Sequence, residues 1–524
     1  MELPPWTAYL AVALVAVFFL KAVLRRHVYN LPPGPKPWPI IGNLNLLGKL
    51  PHRSIHELSK RYGPLMQLRF GSLPVVVGSS VEMAKLFFKT HDAAFCDRPR
   101  FAAGKHMGYD YSDMLWAPYG AYFRQARKIF ATELFSAKRL ESLEHVADEE
   151  VRAMLRDIHT AAASGRAVVR LRDYTTMVTL GVICRIVLGK KYVVVEEEAA
   201  GEARSPPATS PAEFGAMADE FVFLSGAFNI GDLVPWLDWL DLQGYVRRMK
   251  RSRQKVDQLL DRVLDEHNER RRREGERFVA RDMVDVLLHL ADDPNLEVQL
   301  SRDNVKALIQ DLFAGATDSS SHTIEWAISE LLKNPGHLAK AIEELDRIIG
   351  RDRPVTERDL PDLPFVEAVI KETLRLHPAA PLLAPHLARE DVSVGGYDVP
   401  AGTIVLMNVW STCREPTIWD APEEFRPERF IGSKVDVRGQ DFELLPFGSG
   451  RRMCPGYNLA LKVMQLSVAN LLQGFTWRLP DGVTKEELSM EETYVFTTPR
   501  KVPLEAVVQP RLPVHLYTLE QWRS

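Results

Sequence analysis

Leu445-Pro-Phe-Gly-Ser-Gly-Arg-Arg-Met-Cys-Pro-Gly456 sets one cysteine among glycines and arginines, directly ahead of an apolar, helix-like run from Tyr457 to Leu472. Cys454 in this setting reads as an axial ligand to haem iron. A thiolate stays ionised as a ligand only where donors and positive charge surround it, and glycines let backbone N–H groups approach the sulfur. Gly448, Gly450 and Gly456 give that access. Arg452 stands two residues before the cysteine, and its guanidinium can pair bidentately with a haem propionate. Phe447 can shield the thiolate from water, and Pro455 suits the first turn of the helix that follows. The competing reading is a small apolar residue packed in a core, the usual fate of a free cysteine. A dinucleotide loop is excluded, because G-x-G-x-x-G needs glycine where Met453 stands.

Working outward, 524 residues at 46% hydrophobic and 26% charged can bury a large core. Length alone points to several domains. No long low-complexity linker follows residue 45 and there is no internal repeat, so one large catalytic domain is expected over 46–524. A net charge of −3 argues against a nucleic-acid partner. Cys96, Cys184, Cys413 and Cys454 form no C-x-x-C pairs, which speaks against a disulfide framework, a zinc site or an iron-sulfur cluster, and for a reducing compartment.

Trp6 to Leu20 is almost wholly apolar, and the run resumes after Lys21 to Leu24 before Arg25, Arg26 and His27. Residues 1–24 therefore read as a membrane anchor, and the positive flank on the C-terminal side places the bulk of the chain on the cytoplasmic side. A cleaved signal peptide would carry its positive charge first and end at a small-residue site. Residues 25–45 form a basic, proline-rich linker, where Leu31 to Pro39 favours an extended, semi-rigid spacer. Gly42 to Lys49 faintly matches a phosphate loop, but five residues separate the glycines and Leu50 replaces the Ser or Thr. The alternation from Gln67 to Gly78 predicts a hairpin around Gly71, and Phe101 to Pro118 reads as a loop rich in glycine and aromatics. Tyr119 to Phe135 reads as a helix, Glu196 to Pro211 as a loop, and Arg247 to Arg277 as a solvated, charged amphipathic stretch.

The spacing F-x-x-G-x-R-x-C-x-G, from Phe447 through Gly450, Arg452 and Cys454 to Gly456, resembles the haem-binding signature of the cytochrome P450 family. That resemblance implies haem b with Cys454 as the metal ligand. It also implies a mainly α fold with small β-sheets, one large haem-thiolate monooxygenase fold preceded by a single transmembrane helix. The family's W-x-x-x-R motif, whose arginine meets a propionate, is matched here by Phe123 and Arg127; the ion pair is kept, but phenylalanine lacks the indole N–H.

Asp303 to Leu332 has the periodicity of one long helix, interrupted by the small and hydroxyl patch Phe313 to Ser321. In the resembling family this is the oxygen-binding groove. Asp318 and Ser319, with Thr317 beside them, match its acid-alcohol pair, though Ala316 replaces the usual glycine and Ser319 the usual threonine. Glu372 and Arg375 share one helical face, and Arg429 in Phe425 to Phe430 matches the arginine that joins them in a structural triad of the family.

The resemblance further implies O2 as co-substrate and electrons from an NADPH-cytochrome P450 reductase in the endoplasmic reticulum membrane, since the chain has no flavin or iron-sulfur signature. Family likeness places substrate contacts at Phe101 to Met114, Phe221 to Phe228, Phe313 to Thr317, Ala380 to Ala384 and Val495 to Thr498. These are mostly apolar and suit a small hydrophobic substrate. The Leu31 to Asn43 run and Phe135 to Ser142 resemble plant members of the family, including flavonoid 3'-monooxygenase-like proteins and enzymes that cleave nerolidol or geranyllinalool to homoterpenes. The apolar contacts favour an acyclic terpenoid alcohol, with flavonoid B-ring hydroxylation as the alternative. A haem-thiolate isomerase or dehydratase, or a non-catalytic haem binder, would have no use for the Asp318–Ser319 pair.

Overall fold

The computed structural model describes residues 29–164, 168–191 and 211–518. The anchor expected at 1–24 and most of the Glu196 to Pro211 loop lie outside them. Among the described residues no helix is long and apolar enough to cross a membrane.

Helices dominate and the strands form three small sheets, as the sequence predicts. Alternating and β-branched residues give β1 (Leu65–Phe70) and β2 (Leu73–Gly78), an antiparallel pair running from Leu65↔Gly78 to Phe70↔Leu73. Gly71 makes the turn: its φ is +59°, and a Cβ there would lie 2.2 Å from the Leu233 carbonyl oxygen. The other strands are β3 (Val168–Arg170), β4 (His386–Leu387), β5 (Val392–Val394), β6 (Tyr397–Val399), β7 (Ile404–Met407), β8 (Phe475–Arg478) and β9 (Glu505–Pro510). β7 is buried throughout and runs parallel to β2, giving the order β1-β2-β7-β4; β3-β9-β8 and β5-β6 are the remaining sheets.

The prolines of Leu31 to Pro39 keep that segment extended, yet it is no free spacer. Gln67 N–H donates to the Pro33 carbonyl at 2.9 Å, and the Asn43 side chain accepts from Arg69 N–H at 2.7 Å. The linker is thus sewn along β1.

The longer helices are α1 (Pro51–Tyr62), α2 (Ala121–Ile129), α3 (Glu144–Ala163), α4 (Leu171–Leu188), α5 (Pro211–Gly226) and α6 (Tyr245–Glu274). They continue with α7 (Met283–Ala291), α8 (Arg302–Ala316), α9 (Asp318–Lys333), α10 (Pro335–Ile348), α11 (Pro364–Leu376) and α12 (Tyr457–Gly474). α9 is the centre of the core: α4, α11 and α12 all pack on it, and it is buried on nearly every face. Its buried Glu325 is satisfied by Arg172 Nη2 at 2.6 Å and Leu504 N–H at 2.8 Å.

The structure departs from the sequence expectation in four places. The predicted single helix over Asp303 to Leu332 is two, broken at Thr317. The Thr317 and Ser319 hydroxyls bond back to the Phe313 and Gly315 carbonyls, which competes with regular helix and bends it. The helix predicted to Phe135 ends at Ile129 and widens into a π-turn, Phe130–Leu134. Ala102–His106 is a short helix inside the expected loop. Pro455 stands just outside the helix it was expected to begin, because α12 starts at Tyr457 with Gly456 as its cap.

Candidate active site

The Cys454 loop folds tightly against the Phe88–Asp92 segment. Gly448 and Gly450 have φ of +69° and +67°, and a Cβ at Gly450 would meet Asp92 Oδ1 at 2.5 Å and the Phe88 carbonyl at 2.9 Å. Cys454 N–H donates to the Phe447 carbonyl at 2.9 Å, and the Phe447 ring packs beside Tyr457. Burial pushes the Cys454 thiol up, while the Gly456 N–H and the Arg127 charge pull it down. A bound metal cation would settle that balance toward thiolate.

Cys454 opens onto a cavity of about 350 Å³. One part of its wall is cationic: Arg98, Arg127 and Arg452 reach it, with the neutral His386 imidazole beside them. Arg127 Nη1 donates to the Met453 carbonyl at 2.5 Å. Arg452 donates to the Cys96 and Ala117 carbonyls at 2.7 and 2.6 Å, and Arg98 to those of Leu115, Ala384 and Pro385. His386 Nδ1 lies 2.7 Å from the Phe95 carbonyl. Burial pushes Arg452 down to about 10 and lowers Arg98 and His386 well below their ordinary values. Among the described residues none of the four side chains hydrogen-bonds to a carboxylate. Three guanidiniums and an imidazole, their side-chain hydrogen bonds going only to carbonyls and set beside a cysteine in an apolar chamber, fit a flat cofactor carrying two carboxylates. Haem meets that description.

Arg452 and Arg127 were legible from motifs; Arg98 and His386 were not. Their only signals are the charged pair Asp97-Arg98 between Cys96 and Pro99 and the histidine of Pro385-His386. Phe123, read as a missing donor, has a different part here: its buried ring lies under the Arg452 guanidinium, 3.7 Å from centroid to carbon.

Of Thr317, Asp318 and Ser319, the residues at the acid-alcohol pair of the groove, the structure brings one to the cavity. Ser319 lines it, with its hydroxyl donating to the Gly315 carbonyl at 2.8 Å. Around Gly315 the wall is open, with no atom within 4 Å of a would-be Cβ. Asp318 is buried behind this wall, toward Asp219 and Arg172; burial and the Asp219 charge raise its carboxyl to about 7, and Arg172 opposes them. Thr317 is a correction. Its hydroxyl is tied to the Phe313 carbonyl at 2.9 Å and its carbonyl accepts from the Thr179 hydroxyl at 3.0 Å, so it faces α4 and not the cavity.

Glu372 and Arg375, fully buried, pair through Arg375 Nε at 2.7 Å and Nη2 at 2.9 Å. Arg429 Nε reaches the same carboxylate at 3.0 Å, and Arg426 N–H at 2.8 Å. Arg375 also donates to the Cys413, Pro422 and Glu424 carbonyls. The triad thereby fastens α11 to the 413–429 segment, upstream of the cysteine loop.

All five segments expected to meet substrate contribute to the cavity wall, through Met114, Phe221, Ala314, Leu383 and Phe496 among others. A separate buried cluster, His267, Asp282 and Asp285, has ligand-type side chains, but Arg270 already pairs with Asp285 and His267 spans Asp282 and the Val263 carbonyl. The Arg270 guanidinium supplies there the positive charge that a cation would bring.

The family model for cytochrome P450 matches residues 32–505. A trimethyltridecatetraene synthase of Zea mays is 50% identical, covering 97% of this chain and 95% of its own, and a dimethylnonatriene synthase of the same species is 51% identical over 94% of each. A flavonoid 3'-monooxygenase of Petunia hybrida is 43% identical over 95% and 96%. A zebrafish cytochrome P450 solved with progesterone superposes with a TM-score of 0.72 at 26% identity, covering 88% of this chain and 99% of that one. With the cysteine loop, the cationic wall and the central helix pair in one chamber, likeness over nearly the whole length makes this chain a member of the cytochrome P450 family of haem-thiolate monooxygenases.

Proposed function

We propose that this enzyme oxidises an acyclic terpenoid alcohol of the nerolidol or geranyllinalool type and cleaves a carbon-carbon bond to release a homoterpene. The observation that carries the reading is the 50 to 51% likeness, over nearly full length, to two synthases named for homoterpenes. A chamber walled by Met114, Leu115, Phe221, Val222, Ala380 and Leu383 agrees with it, since such a surface suits a flexible hydrocarbon chain. Hydroxylation of a flavonoid B-ring is the second reading, favoured by the 43% likeness to flavonoid 3'-monooxygenase.

Cys454 would hold haem iron, which when bound would supply O2 activation with electrons from a reductase. The chain's own residues do the rest. Arg98, Arg127 and Arg452 would hold the cofactor's carboxylates, and the apolar wall excludes water. Ser319, released from the Gly315 carbonyl, passes a proton into the cavity from its Oγ, and Asp318 resupplies it through water. Residues 1–24 anchor the enzyme in the endoplasmic reticulum membrane, 25–45 connect the anchor to the catalytic domain on the cytoplasmic side, and an NADPH-cytochrome P450 reductase in that membrane delivers the electrons. The support for these last statements is the sequence.

The test is incubation of microsomes carrying the protein and reductase with NADPH and, separately, nerolidol, geranyllinalool and a flavanone. A homoterpene from either alcohol is expected; a hydroxylated flavanone without homoterpene would overturn the terpenoid reading.

A further inference from the structure

One carboxyl group stands in the cavity wall among its described residues. Asp311 lies on α8, one turn before Gly315 and on the same face. Its Oδ2 accepts the Met114 N–H at 2.5 Å. Among the described residues Oδ1 has no hydrogen-bond partner, and it is not one of the polar atoms sealed from solvent: it is left to the cavity.

A second carboxyl stands beside it. Asp113, the residue before Met114, is 1% exposed, and its Oδ1 accepts the Trp116 N–H at 2.9 Å. The charged and titratable groups around the pair come from three directions. Arg98 and Arg452 lie toward Asp113 but donate to carbonyls. Tyr122 of α2 faces both carboxyls and donates its hydroxyl to the Ser112 carbonyl at 2.5 Å. Among the described residues no cation hydrogen-bonds to either acid. Two carboxyls in a dry site cannot both ionise cheaply: burial raises Asp113 to about 7, and burial with the charge of Asp113 raises Asp311 well above the usual carboxylate range. Asp311 is therefore a group that both donates and accepts a hydrogen bond, which a carboxylate cannot.

We propose that Asp311 is the polar anchor of the substrate cavity, its free oxygen holding a hydroxyl of an otherwise apolar substrate and thereby fixing which carbon is presented at the Cys454 end. An oily chain in an oily chamber has nothing to stop it sliding end to end; one directional contact does. Three of the wall's hydroxyls are less available. Ser225 is bonded to the Phe221 carbonyl, Thr323 to the Ser319 carbonyl, and Thr497 Oγ1 is sealed. The inference rests on the terpenoid-alcohol reading and adds to it the residue that would recognise the alcohol.

The experiment uses the full chain with haem and measures spectral binding of nerolidol and of a C15 hydrocarbon with the same skeleton and no hydroxyl. The wild type is expected to prefer the alcohol about tenfold, the worth of one such hydrogen bond. Asp311→Leu should lose that preference by weakening alcohol binding while leaving the hydrocarbon unchanged or tighter, and should oxidise the alcohol at more than one carbon. Asp311→Asn, which keeps the acceptor for Met114 and a donor for the cavity, should retain most of it. Equal weakening of both ligands in Asp311→Leu, or an undiminished preference, would overturn the anchor. Should that variant fail to hold haem, the wild type decides alone, since equal affinity for alcohol and hydrocarbon rules the anchor out. If the wild type turns over a flavanone and no terpenoid alcohol, the substrate reading falls separately, and the same variants judge the anchor with a flavanone and its counterpart lacking one hydroxyl.

Discussion

The guanidinium carbon of Arg452 lies 3.7 Å from the centre of the Phe123 ring. Each residue explains the other. A buried arginine with only carbonyl partners gains from a π face, and a phenylalanine in place of the family's tryptophan still offers one. The face is kept where the N–H donor is lost.

Phe123→Leu should therefore cost about 1 to 2 kcal/mol beyond any packing change and lower haem retention, while Phe123→Trp keeps the face and adds a donor. Melting temperature and haem content per chain check this. Retention in the leucine variant equal to wild type would remove the ring's role.

In the Glu372 triad the arginines are unequal. Removing Arg429 leaves Glu372 the two bonds from Arg375 and the Arg426 N–H, so Arg429→Ala should cost about 1 to 3 kcal/mol. Removing Arg375 strands a fully buried carboxylate and leaves the Cys413, Pro422 and Glu424 carbonyls without this partner, so Arg375→Ala should cost at least about 3 to 5 kcal/mol and prevent haem incorporation. Denaturant unfolding gives the order; a reversed order would show that the load is carried at Arg429.

What could be read from the sequence was local. The cysteine loop needs glycines at fixed offsets, and Glu372 with Arg375 fits one helical face, so spacing carries both. The sheet hairpin at Gly71 was legible for the same reason. Arg98, His386 and the Asp113–Asp311 pair belong to segments brought together only by folding, and no spacing announces them. Thr317 was misplaced because adjacency does not say which face a residue takes: one step along a helix turns the side chain by about 100°. The break at Thr317 escaped because the apolar periodicity continues across it, while the hydroxyls that cause it bond to their own backbone.

Asp318 should make stability fall as pH rises. Its carboxyl is raised to about 7, first by burial, so the folded chain holds that proton more tightly than the unfolded one. The stabilisation is complete below the ordinary carboxylate value and is lost as pH climbs through 7. Asp318→Asn, neutral throughout, should gain on the wild type by about 3 kcal/mol between pH 5 and pH 8. Paired melts across that range check it; a constant gap would mean that the carboxyl titrates normally.

Ser319 is where the two departures from the family's groove meet. Proton delivery into the cavity competes with loss of reduced oxygen as peroxide, and the Ser319 hydroxyl is parked on the Gly315 carbonyl at 2.8 Å. Serine lacks the methyl that would restrict its rotamer, so it leaves that carbonyl easily and returns to it as easily. Ser319→Ala should accordingly keep oxygen consumption, lower product per NADPH severalfold and raise peroxide in proportion. Asp318→Asn should act in the same direction from behind the wall, by starving the serine and not by removing it. The double variant should then be little worse than Ser319→Ala, because both steps lie on one path. Additive losses would place the two residues on separate routes, and wild-type yield with unchanged peroxide in both single variants would end the case for a relay through Ser319.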